Sequence, residues 1–159
     1  MSHQYPRRTG SPLLAGLPAQ RAEPHGPAPV RARAVYDGTE PIAEARALAR
    51  RFLSDVQLRE AVSPDSRDAL RLVVSELVTN ARTHTSGGYS LTLEHAPGVV
   101  IVSVLDTSAE IPAAKPRDPR RIGGQGLHIV HALCTAFQAS RNHGGKRVTA
   151  TLPLTTFSR

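Results

Sequence analysis

The chain contains no tryptophan, and aromatic residues fill only 4% of its 159 positions. A core must therefore be aliphatic, and the stacking platforms that hold single-stranded nucleic acid are argued against. Cysteine occurs once, at Cys134, so no intramolecular disulfide can form. That fits a reducing cytoplasm, and Cys134, lying in an apolar helical run, reads as a small core residue. No apolar run approaches the length of a membrane span. Near the N-terminus, Arg7 and Arg8 precede SPLLAGLPAQ, which Pro and Gly interrupt too often for a secretory signal. The expected location is the cytoplasm, away from membranes.

Acidic residues are fewer than basic ones, 13 against 20, for a net charge of +7. Residues 1–33 hold five Arg and one Glu, so more than half of the excess sits in that stretch. Residues 1–30 are rich in Pro, Ala and Gly without a period and are expected to form a disordered basic tail. Such an arm can touch nucleic acid, acidic protein or membrane lipid, and it can equally serve only solubility. Residues 31–159 are expected to form one folded domain, long enough to bury a real core.

Within that domain the patterning alternates between periods. Residues 32–37 form a first strand ended by Gly38. A helix opens at Pro41 and runs to about Val56, with Ile42, Ala45, Leu48, Ala49 and Phe52 on one face. Pro64, with Ser63 as cap, starts a second helix, and Gly87-Gly88 ends it. Tyr89 to His95 alternates as a strand, Pro97-Gly98 turns the chain, and Val99 to Leu105 is apolar enough for a central, covered strand. Residues 107–124 carry three Pro and clustered Arg and read as a long functional loop. A third helix runs from Gly126 to about Ala136, with Leu127, Ile129, Val130 and Leu133 inside. Two short strands close the chain, 137–141 and 148–152, around a turn containing Gly144-Gly145. The economical solution is an α+β two-layer sandwich, helices on one face of a mixed, mostly antiparallel sheet.

Three places in this framework can carry chemistry. In the second helix Leu70, Val73, Val74, Leu77, Val78 and Ala81 make one apolar stripe, while Glu76 and Asn80 stand together one turn apart on another face. A carboxylate and a carboxamide so placed can serve a proton transfer and an oxygen-seeking metal ion, although Glu and Asn are also common on solvated helix faces. Asp106 ends the buried strand and can accept a hydrogen bond from an exocyclic amine, or simply cap a loop. GGQGLHIV, residues 123–130, runs closely spaced glycines into a helix, which lets backbone N–H groups approach phosphate oxygens.

The order of these elements resembles a known family. ELVTNARTH (76–84) is similar to the N box of the GHKL ATPases, the group of gyrase, chaperone, histidine-kinase and mismatch-repair ATPase domains. VSVLDTSAEIP (102–112) resembles their first glycine box, GGQGLHIV their second, and GGKRVTATLPL (144–154) their final turn and strand. The likeness spans roughly residues 35–155. The Asp-Thr-Ser-x-x-x-Pro variant and the compact length look most like small actinomycete ATP-binding proteins related to anti-sigma-factor serine kinases. The resemblance implies the Bergerat fold, ATP and Mg²⁺. It makes Glu76 the general base and Asn80 the Mg²⁺ ligand, with His84 a positioning residue. Asp106 would bind the adenine amine, Gly124 and Gly126 the phosphates, and Leu127 would follow as a backbone or packing neighbour. Ser108 stands where the larger family has a glycine after the aspartate, and Arg147 where a threonine near the adenine is common.

The resemblance further implies a regulatory serine protein kinase that controls a sigma factor by partner switching and phosphorylates an antagonist (anti-anti-sigma) protein, with pairing into a homodimer as in related kinases. A non-catalytic ATP/ADP-binding module is the alternative. Direct nucleic-acid binding ranks below both, because no reading helix is evident.

Overall fold

A computed structural model describes residues 28–85, 87–108 and 125–155. Residues 1–27, most of the expected tail, lie outside it, as do 109–124, which hold most of the expected loop and Gly124. Eight elements follow in order: β1 (Arg31–Tyr36), α1 (Ile42–Gln57), α2 (Pro64–His84), β2 (Tyr89–Ala96), β3 (Val99–Asp106), α3 (Gly126–Leu133), β4 (Ala136–Asn142) and β5 (Gly145–Pro153). The strands make one sheet in the order β1-β2-β3-β5-β4. All four pairings are antiparallel, so the expected antiparallel majority is present and the expected parallel component is not found among the described strands. The architecture is the α+β two-layer arrangement that the patterning predicts.

The pleat decides which residues meet the helices. On β2, β3 and β5 alternate residues are buried, and register aligns them in rows: Leu93 with Val102 and Ala150, and Leu91 with Val104 and Val148. α1 covers β1 and β2, α2 lies over β2, β3 and β5, and α3 packs on α2 and β4. All six residues of the predicted α2 stripe are buried. Ser63 caps that helix, its hydroxyl accepting from the Ser66 N–H at 3.1 Å, with Pro64 at the first position. At the far end of the sheet from Asp106, the Glu60 carboxylate takes hydrogen bonds from His95 at 2.7 Å and the Gly98 N–H at 3.1 Å, tying the α1–α2 connection to the β2–β3 turn. These bonds hold the Glu60 carboxyl below its ordinary range.

Two boundaries differ most from expectation. α3 stops at Leu133, and only Val130 is fully buried, because this two-turn helix sits at the sheet margin over the edge strand β4. Cys134 caps α3 and is half-buried, and burial pushes its thiol up to about 11. β5 begins at Gly145, three residues before the expected Val148, because its first turns of pleat carry Lys146 and Arg147, whose charges hide a strand start.

Candidate functional site

α2 holds Glu76 and Asn80 one turn apart on the flank of its buried stripe, both half-exposed. That flank faces the start of α3. A Cβ placed on Gly126 would stand 1.9 Å from Glu76 Oε2 and 2.9 Å from Cδ. The glutamate carboxylate therefore lies directly on the backbone at the start of α3, in space only a glycine leaves open. Gln125, at the N-cap, makes no side-chain capping bond to the first turn, and the start of a helix is where backbone N–H groups can meet an anion. Leu127 follows, half-buried. His84 sits exposed in the last turn of α2.

The second half of the site is built by the ends of β3 and β5. Asp106 and Lys146 are register partners and point to the helix-covered side, continuing the buried rows Val100–Val102–Val104 and Val148–Ala150–Leu152. Gly145 permits this approach, since a Cβ there would meet the Asp106 carbonyl oxygen at 1.7 Å. Tyr89 is the β2 partner of Asp106 and stacks on Tyr36 with ring centroids 5.0 Å apart. Burial pushes the Tyr89 phenol up to about 12, so it stays neutral. Asp106 Oδ1 accepts from the Ser108 N–H at 2.8 Å, an Asx turn that fixes the carboxylate and buries Ser108. A depression of about 300 Å³ opens at this end of the sheet, reaching Asp106 and Tyr89 but lined also by Val35, Ser90 and Leu105 of the uncovered face, and Lys146 does not line it.

Asp106 Oδ2 is buried without a hydrogen-bond donor among the described residues. Its nearest cation is Lys146 Nζ at 3.4 Å, and an ion-paired carboxylate oxygen that accepts no hydrogen bond keeps an acceptor site that suits an exocyclic amine. The residues present thus fit an adenine nucleotide at both ends, an amine acceptor at β3 and a backbone cradle at α3. Among the described residues no three His, Cys, Asp or Glu side chains cluster for a metal. A cation here suits a Mg²⁺ that takes one or two protein oxygens and leaves its other positions to phosphate and water.

Sequence reading missed Lys146. The structure turns Arg147 to the exposed side of β5 and puts the fully buried Lys146 beside Asp106. The signal was the period-two pattern: counting back from Leu152, Ala150 and Val148 lands on Lys146, a charge in an inward register.

Residues 39–152 match the family model described as histidine kinase-like ATPase domain. No curated protein matches at a comparable level of significance. Among solved structures, the RsbU and RsbW domains of Rv1364c from Mycobacterium tuberculosis match with a TM-score of 0.58 at 22% identity, covering 78% of this chain and 32% of that one. The chain thus spans about one third of that structure's length. The histidine kinase domain of the blue-light activated histidine kinase from Erythrobacter litoralis EL346 matches with a TM-score of 0.43 at 21% identity, over 75% of this chain and 64% of that one. The Acinetobacter baumannii histidine kinase AdeS matches with 0.43 at 17%, over 79% and 68%. With a family match across most of its length, the chain belongs to the histidine kinase-like ATPase domain family.

Proposed function

We propose that this protein binds Mg-ATP between α2, the start of α3 and the β3–β5 row, and transfers the γ-phosphoryl group to a serine of an antagonist protein. The observation that carries this reading is the contact between the Glu76 carboxylate and the Gly126 backbone. It sets a candidate base at the edge of an anion cradle, one turn from Asn80. Asp106 accepts from the adenine amine through Oδ2. Gly126 and Gly124 let the chain approach the phosphates, Leu127 packs beside them, and Ser108 keeps Asp106 oriented. His84 positions the end of α2. Asn80 holds Mg²⁺, which when bound offsets charge on the phosphates.

The substrate serine oxygen attacks the γ-phosphorus, and the bond to the β–γ bridging oxygen breaks, with ADP leaving. Glu76 takes the hydroxyl proton, a role open to a carboxylate within reach of the attacking oxygen. The regulatory setting follows the likeness of the three motifs to anti-sigma-factor kinases. The protein sequesters a sigma factor, releases it for the unphosphorylated antagonist, and silences that antagonist by phosphorylation. Pairing of two copies belongs to the same reading, as does a single folded domain behind a basic tail.

Phosphotransfer with Glu76→Ala tests it. Labelled ATP and purified serine-bearing antagonists from the same genome should give phosphoprotein with the wild type. The variant should lose that activity by about 10²-fold or more and keep its nucleotide affinity. Undiminished transfer by Glu76→Ala removes the assigned base.

A further inference from the structure

Lys146 is fully buried, and its ammonium has no hydrogen-bond partner among the described residues. Lysine is almost never buried without pairing, yet its neighbour Asp106 stands off at 3.4 Å between Nζ and Oδ2. A charge-assisted bond closes to about 2.7–2.9 Å. A buried ion pair is a weak stabiliser next to apolar packing of the same volume, so holding β3 to β5 does not account for the residue. Val148 or Ala150 does that in the same rows. What the pair holds, side by side at the helix-covered end of the sheet, is an acceptor, Oδ2, and ammonium donors on Nζ that make no hydrogen bond among the described residues. Asp106 Oδ1 is already committed to the Ser108 N–H.

We infer that Lys146 reads the base of the bound nucleotide, donating to the ring nitrogen N1 of adenine while Asp106 accepts from the adjacent amine. The inference rests on the adenine reading of Asp106 proposed above. Adenine carries a donor, the exocyclic amine, next to an acceptor, N1, and this order complements Oδ2 and Nζ. Hypoxanthine and guanine in the same pose would turn a carbonyl oxygen to the carboxylate and an N1–H to the ammonium, leaving both buried charges opposed. Lys146 is thus a specificity-determining residue. Its position was set by strand register, and its partner atom by the carboxylate it flanks.

Calorimetric titration of the full chain with ATP and with 1-deaza-ATP, whose C–H replaces the N1 acceptor, tests the inference without any mutation. Wild type should bind 1-deaza-ATP about ten- to a hundredfold more weakly, the loss of one hydrogen bond to a buried charge. Lys146→Met should bind ATP more weakly than wild type and bind both nucleotides equally. Circular dichroism checks that the variant folds; if it does not, the wild-type comparison decides alone. Equal wild-type affinity for the two nucleotides overturns the inference, and so does tighter ATP binding by Lys146→Met, which would make the lysine a plug. Absence of any ATP binding by wild type removes the underlying site reading as well, so the two failures are distinct.

Discussion

Two glycines make a matched pair whose replacement by alanine should give opposite results. At Gly145 the added Cβ meets only backbone: the Asp106 carbonyl oxygen at 1.7 Å, its carbon at 2.7 Å and Thr107 Cα at 2.9 Å. That is half of the 3.4 Å where ordinary contact starts. No rotamer relieves it, so the start of β5 must leave β3 and separate Asp106 from Lys146. The cost belongs at the top of the overpacking range, about 3 kcal/mol, or roughly 10 °C in melting temperature for a domain of this size. At Gly126 the obstacles are Oε2, Cδ and Cγ of Glu76, one flexible side chain. Swinging it aside costs about 1 kcal/mol, and the better helix propensity of Ala offsets much of that. Gly126→Ala should therefore melt within a few degrees of wild type while losing phosphotransfer by about 10²-fold, because the carboxylate is displaced by an ångström or more. Thermal melts of the three proteins, read beside a phosphotransfer assay, decide the matter. A Gly145→Ala protein that melts with wild type refutes the close approach of β5 to β3. A Gly126→Ala protein with full phosphotransfer refutes the placement of Glu76.

Two further predictions concern stability. Ser63→Ala removes the oxygen that caps α2 and should cost about 1 kcal/mol in urea titration, with Ser63→Asp restoring most of it; no loss would mean the cap is redundant. Glu60 is held below its ordinary 4.5, first by the His95 hydrogen bond and then by the Gly98 N–H. A depressed carboxyl stabilises fully above the unfolded value and loses that contribution as pH falls through the folded one. Stability should thus decline below about pH 4.5, and Glu60→Gln should flatten that acid-side decline. A slope identical in variant and wild type would show that the pair does not contribute.

Periodicity made most of the fold legible. The α2 stripe, the alternation on β2 and the covered β3 each follow from a repeat of 3.6 or 2 residues with little competing signal. The candidate site draws on positions where motif and period coincide, Glu76, Asn80, Asp106 and Gly126. Lys146 was hidden because a charge in a strand start looks like a turn, and only the register with Asp106 reveals that it faces inward. Arg147 drew attention by motif comparison alone, and the pleat turns it away. The shortened α3 reflects an edge position that local hydrophobicity does not encode. Val30 marks a further limit: it is buried and its carbonyl accepts from the His95 N–H at 2.9 Å, a long-range contact with no local pattern.

The most direct measurement is a calorimetric titration of ATP into the full chain with Mg²⁺ and with EDTA, repeated for Asn80→Ala. Mg²⁺ should strengthen wild-type binding by about tenfold or more, and the variant should no longer distinguish the two conditions. Equal affinity for wild type and Asn80→Ala in Mg²⁺, or no ATP binding at all, would contradict a nucleotide site between α2 and α3.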